Sequence, residues 1–318
     1  MIRKLTVVQR TGTIAITDGF CSSPMDSLDA HASMLPMNLK IDKALYQTAT
    51  QLAALPNMHP LAKKYKSAVA RRTKRHKSAL HYMTQLYSIQ SDEVETIPAV
   101  RRNPAEKTRK PFRLEIPGDK AVSAHLDNIS TEVIRVYTDS SSHGRRVGAL
   151  AVLTRQGKED CVLRLCLGTS TQHTVLEAEM VGLLLGVHLI ATEKRNHKSC
   201  ALGLDNQGVI RALDSELTNP GHHILAEALR ITTHLQKKCS NANYNLTIRW
   251  TAGHIGIKGN EKADQEAKRA TDGHSSNAKD LPKYMRKKIK HNISALRQAN
   301  NKKLKDAWKK DWNKSKRF

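Results

Sequence analysis

Four carboxylates and one histidine carry the chemistry open to this sequence. Asp139 ends the alternating, β-branched run EVIRVYTD (132–139), and Asp205 ends a second run, SCALGLD (199–205). Ligands gather at strand ends in open α/β sheets, so two parallel neighbouring strands would set these aspartates side by side. The apolar segment 174–193 offers a third acid, from two candidates. Glu177 stands three residues after Thr174, the spacing of a capping box that satisfies backbone N–H groups. Glu179 shares an i, i+3, i+7 line with Gly182 and Gly186, a stripe that lets a helix approach a sheet closely. An unpaired acid on that stripe is costly to bury, and a bound cation removes the cost. Asp264 falls in the first turn of a helix predicted over 260–272, where it also complements the helix dipole. His254 lies in the glycine-fenced loop of TAGHIGIKGNEKAD (251–264). Hard divalent cations need clustered oxygen ligands. Two of them about 4 Å apart activate water and stabilise the leaving oxygen of a phosphodiester. A loop histidine, titrating near neutrality, can shuttle protons beside such a cluster.

The elements that must position these groups follow from periodicity. The run at 132–139 is a strand, and VGALAVLTRQGKEDCVLRLCLG (147–168) reads as two more, turning at 157–160. An apolar helix over 174–193 precedes a fourth strand at 199–205. Helices over 206–217 and 221–240, a fifth strand YNLTIRW (244–250) and the helix over 260–272 complete the pattern. Three successive strands, then helix, strand, helices, strand and helix, make a mixed α/β domain.

Charge is segregated along the chain. The 318 residues carry a formal charge of +24. Lys and Arg outnumber Asp and Glu 20 to 11 over residues 1–130 and 15 to 3 over 274–318, but only 18 to 15 over 131–273. A nearly neutral middle between basic flanks points to a polyanionic partner, because a basic patch releases condensed counterions from nucleic acid. The densest run, KKYKSAVARRTKRHK (63–77), equally suits a nuclear import signal. Cys21, Cys161, Cys166, Cys200 and Cys239 include no C-x-x-C pair, which fits a reducing compartment. The greasiest stretch, MVGLLLGVHLI (180–190), is too short to span a bilayer. The expectation is an intracellular protein with no membrane association, nucleus and cytoplasm undivided.

YTDSS, EAEMVGLLLGVHLI, LDNQGVIRAL and WTAGHIGIKGNEKADQEAK stand in this order. On these motifs, 131–273 resembles a type 1 ribonuclease H domain; each is weak alone, and the four in series are specific. The resemblance implies a ribonuclease H-like mixed five-stranded sheet, its first three strands antiparallel, with helices on both faces. It also implies two Mg²⁺ or Mn²⁺ ions and endonucleolytic cleavage of the RNA strand of an RNA/DNA hybrid. Matched by motif, Asp139, Glu179, Asp205 and Asp264 are the metal-binding acids and His254 is the loop histidine. Glu179 takes the helix position over Glu177 because the family's glutamate precedes a large apolar residue, as Glu179 precedes Met180. Gln207 is similar to a hybrid-contacting glutamine. Ser140 stands where the family usually has glycine, and its β-carbon would shift the Asp139 carboxylate if that turn needed φ > 0.

The flanks extend the resemblance. Residues 7–42 look like the thumb-side segment of non-LTR retrotransposon reverse transcriptases. LPKYMRKKIKHNISALRQANNKKLKDAWKKDW (281–312) resembles the basic helical extension of fungal elements. The expected organisation is a thumb-like helical segment (1–60), a basic linker (61–130), the ribonuclease H domain (131–273) and a basic helical tail (274–318). No Y-x-D-D motif occurs, so no polymerase activity is expected, and the chain reads as the C-terminal fragment of a retroelement protein. The alternative is an inactive relic that only binds nucleic acid. A transposase or integrase on the same fold would normally present two aspartates and then a glutamate, not this order.

Overall fold

The computed structural model describes residues 2–71, 75–98, 110–155, 158–193, 199–215, 218–239, 244–253 and 255–316. They form two compact units, Met1–Val94 with Leu296–Phe318, and Glu95–Ala295. The first is helical: α1 (Ile2–Thr17), α2 (Met25–His31), α3 (Met37–Ala53), α4 (Pro60–Ala70), α5 (Ala79–Tyr87) and, from Leu296 on, α11 (Ile293–Asn313). Its core combines small residues, Ala49, Ala53, Ala62 and Ala68, with the larger Leu28, Tyr65, Met83 and Leu304. Polar ties supplement this thin core: Gln9 Nε2 donates to the Leu35 carbonyl at 3.0 Å, and Arg297 Nε to Thr50 Oγ1 at 3.1 Å.

The second unit holds β1 (Arg113–Glu115), α6 (Lys120–Asn128), β2 (Ile134–His143), β3 (Arg146–Arg155), β4 (Lys158–Thr169), α7 (Val175–Thr192), β5 (Ser199–Leu204), α8 (Gln207–Asp214), α9 (His222–Lys238), β6 (Asn245–Trp250) and α10 (Lys258–Thr271). The stretch 61–130, expected as a basic linker, thus contains α4, α5, β1 and α6. The strands make one sheet in the order β1-β6-β5-β2-β3-β4. β2, β3 and β4 are antiparallel neighbours, while β2/β5, β5/β6 and β1/β6 are parallel. The mixed α/β class is as expected, but the sheet has six strands, not five. β1 is only three residues long, too short to leave a period-two signature.

Alternation along the strands divides the core between the two faces. On β3, Val147, Ala149, Ala151 and Leu153 join the large core beneath α7 and α9, whereas Leu150 and Val152 join Ile257, Ala263 and Ala267 beneath α10. Helices therefore cover both faces. α7 is the one helix among the described residues long and apolar enough to cross a membrane. Its composition is explained by burial on nearly every side, against the sheet and α9.

α7 lies unusually close to the sheet along its glycine stripe. A β-carbon on Gly182 would sit 3.1 Å from the Leu150 carbonyl oxygen and 3.3 Å from Thr138 Cβ, and one on Gly186 would sit 2.9 Å from Leu202 Cδ1. Gly182→Val should therefore destabilise the unit by about 1–3 kcal/mol in urea denaturation, because the carbonyl cannot move aside. A neutral or stabilising result would mean that α7 can slide freely off the sheet.

Candidate metal centre

The parallel register of β2 and β5 builds the first half of the site. Thr138 pairs with Leu204, so Asp139 and Asp205 are the next residues on two adjacent strands. The chain after β5 is tied down: Trp250 Nε1 donates to the Asp205 carbonyl at 2.9 Å, and Thr251 N to the Leu204 carbonyl at 2.7 Å. Alternation puts Thr138 and Ser140 on the α7 face and Tyr137 and Asp139 on the α10 face. Contacts agree, since Thr138 meets the glycine stripe of α7 and Tyr137 lies under Gly259 of α10. The site thus gathers acids from both sides of the sheet where the pairing of its two central strands ends.

Glu179 supplies the second half. One oxygen each from Asp139, Glu179 and Asp205 lie within 4.8 Å of one another. Asp139 and Glu179 are buried and Asp205 half-buried. Glu177, two residues earlier, is turned away. It forms the predicted capping box with Thr174, and its Oε2 lies 3.1 Å from His173 Nδ1. Asp264 lies on α10 with its side chain 31 % exposed and an ion pair to Lys268 Nζ at 2.8 Å. It stands outside the close trio, yet near enough for its charge to act on Asp139. Gln207 opens α8 and accepts from Arg211 Nη2 at 3.0 Å. His254 lies outside the described residues.

Electrostatics make this cluster a cation seeker. Burial, then the charge of Asp205, pushes Asp139 up to about 7, with Asp264 adding to the rise. Burial, Asp205 and Asp139 push Glu179 up to about 8, against the opposing hydrogen bond from Ser140. Glu179 Oε2 is buried with no hydrogen-bond partner. Such an oxygen is expensive to leave unsatisfied, and three hard carboxylates around it suit a divalent cation. These residues fit the metal that the motifs imply.

Ser140 is the residue whose part the sequence obscured. It lies in extended strand rather than at positive φ, so a β-carbon costs nothing there. Its N–H donates to Asp139 Oδ1 at 2.7 Å and its hydroxyl to Glu179 Oε1 at 2.6 Å. Period-two alternation places position 140 on the α7 face, and that signal was available in the sequence. Lys268, four residues after Asp264 on one helix face, was legible from the i, i+4 rule.

Sign follows from the raised pKa values. The folded state holds protons on Asp139 and Glu179 that the unfolded chain has released, so metal-free stability falls as pH rises from about 4 to about 8. In EDTA at pH 8, Asp139→Asn should raise the Tm of the second unit, by about 2–4 °C for each kcal/mol of repulsion relieved. The gain should vanish towards pH 4. A variant no more stable than wild type at pH 8 would show that the cluster is not strained.

No protein-family model matches this chain, and no curated protein does. Solved structures do match. The RNase H1 of the halophilic archaeon Halobacterium salinarum NRC-1 is 19 % identical over 44 % of this chain and 98 % of its own, with a TM-score of 0.33. LC11-RNase H1, solved in complex with an RNA/DNA hybrid, is 18 % identical over 44 % of this chain and 97 % of its own, with a TM-score of 0.33. The PFV RNase H domain, solved in solution, is 21 % identical over 46 % of this chain and 98 % of its own, with a TM-score of 0.34.

Proposed function

We propose that the second unit is a ribonuclease H-type endonuclease that hydrolyses the RNA strand of an RNA/DNA hybrid. The observation that carries this reading is the convergence of Asp139, Glu179 and Asp205 where the parallel pairing of β2 with β5 ends beside α7, with one buried carboxylate oxygen left unpartnered. The order of the motifs around these acids specifies the substrate class.

In this reading Asp139, Glu179 and Asp205 hold Mg²⁺ or Mn²⁺, and Asp264 at the rim helps hold a second ion. Bound there, divalent cations acidify water and stabilise charge on the phosphate and the leaving oxygen. The protein's own groups do the rest. Ser140 orients Glu179 and Asp139 through two hydrogen bonds. Lys268 keeps Asp264 oriented before the substrate arrives. His254, matched by motif to the family's histidine, is assigned proton transfer to the departing 3′ oxygen. Hydrolysis breaks the P–O3′ bond, leaving a 3′-hydroxyl and a 5′-phosphate. RNA is told from DNA by its 2′-hydroxyls in the wide minor groove, with Gln207 contacting the hybrid. The flanks support a retroelement origin, since the helical N-terminal segment and basic tail stand where a non-LTR retrotransposon protein would carry them.

An end-labelled RNA/DNA hybrid with Mg²⁺ or Mn²⁺ tests this directly. Wild type should cut the RNA strand, and EDTA should abolish cutting. Asp139→Asn and Asp205→Asn should lower kcat by about 10²–10³-fold or more, the scale seen when one preorganised electrostatic group is lost. Glu179→Gln should lose activity as Asp139→Asn does, while Glu177→Gln, whose amide oxygen still closes the capping box with Thr174, should keep most of it. A wild-type chain that retards the hybrid on a gel but leaves its RNA intact would establish the binding-only alternative instead.

A further inference from the structure

One basic feature of the second unit is built, not merely charged. The segment after α10 is anchored in the core by Leu281, Met285 and Ile289, all buried. Between and just after these anchors Lys283, Tyr284, Lys287, Lys288 and Lys290 are exposed. They form one wall of a cleft of about 530 Å³ whose other wall is the first turn of α9.

Three contacts fix the walls to each other. The buried Glu95 carboxylate accepts from Gly221 N at 2.6 Å, just before α9, and from Ile293 N at 2.8 Å, just after the lysine segment. Tyr284 Oη and His223 Nδ1 share a hydrogen bond of 2.7 Å across the cleft. Side chains held this way lose little entropy when a ligand arrives.

The charge in the cleft is unbalanced. Its acids are engaged, Glu95 by those two N–H groups and Glu227 by Arg230 at 2.7 and 2.8 Å. None of the four lysines has an ion-pair partner among the described residues. Closely spaced cations next to an exposed aromatic ring are the combination that grips a single strand, with phosphates on the lysines and a base against the ring. The cleft also borders α7, the helix that carries Glu179. A side chain at Gly221 would collide with Met180 Sδ at 2.8 Å, and Met180 directly follows Glu179.

We propose that this cleft binds a single nucleic-acid strand, with phosphates on Lys283, Lys287, Lys288 and Lys290 and a base on Tyr284. The ligand is the unpaired strand that continues from a hybrid engaged at the acidic cluster. The proposal rests on the nuclease reading for its substrate, but its test does not depend on cleavage.

The full chain is titrated in EDTA, by fluorescence anisotropy, against a labelled single strand, a blunt RNA/DNA hybrid and the same hybrid with a single-stranded overhang. The overhang should tighten binding about tenfold and steepen the salt dependence by roughly 0.7 for each phosphate engaged. The double variant Lys287→Glu/Lys288→Glu should lose that gain, and Tyr284→Ala should lose part of it. Lys302→Glu/Lys303→Glu makes the same charge change at exposed positions on α11 and should keep most of it. Circular dichroism checks that each variant is folded. The proposal is overturned by equal affinity for blunt and overhanging hybrids, by equal losses in the two double variants, or by poly-glutamate displacing the strand as well as an unlabelled oligonucleotide does. Failure of the nuclease reading is read separately, as no cleavage in Mg²⁺ with cleft-dependent single-strand binding intact.

Discussion

Carboxylates repel one another, and the second unit forces three of them to within 4.8 Å, two of them buried and the third half-buried. Everything around the site works against that repulsion. β2 and β5 lock their aspartates in register through a parallel ladder, and α7 is drawn onto the sheet by two glycines and a nearly continuous apolar surface. Burial of Leu183, Leu184 and Leu185 lies within a turn or two of Glu179. Each fully buried leucine contributes about 1.5–3 kcal/mol, enough in sum to hold one strained acid in place. Ser140 lowers the strain further by donating to one oxygen of Glu179, which leaves the other for a cation.

The domain that does this is larger than its motifs. Recognisable chemistry spans 131–273, but the compact unit runs from Glu95 to Ala295. β1 adds a strand beyond β6, covering backbone groups that would otherwise lie on an open edge. α6 reaches the strand ends as well: Ser123 Oγ donates to the Trp250 carbonyl and accepts from Ala252 N, at the entry to the loop that leads to α10. After α10, Leu281, Met285 and Ile289 seal the large core. Segments outside the acidic cluster thus close off the unit that holds it.

Asp205 was legible because it follows the last residue of β5, Asp139 because it follows the last residue of β2 that pairs with β5, and Glu179 because it shares a helical line with two glycines. Those signals are local and periodic, and such patterns survive into the fold. Ser140 was harder. It looked like a departure at a turn, yet β2 continues through it to His143, so the backbone stays extended. β1 escaped because three residues carry no periodicity, and its pairing with β6 joins positions more than 130 residues apart. The apolar positions 281, 285 and 289 have helical spacing, yet the chain there makes only a short 3₁₀ turn, Lys283–Arg286, before α11 begins at Ile293. A core can take up side chains at that spacing without a helix when the segment is pinned at both ends, here by a packed Leu281 and by Glu95 at Ile293.

The two glutamates at the start of α7 have one more consequence. They are two residues apart, so they project about 200° apart around the helix axis. Glu177 closes the capping box with Thr174, and that box fixes where the helix begins. The rotational phase of α7 is set by its glycine stripe, which seats Gly182 and Gly186 against the sheet. With that phase held, two residues of spacing separate the two acids: Glu177 meets His173 and closes the cap, and Glu179 joins the acidic cluster.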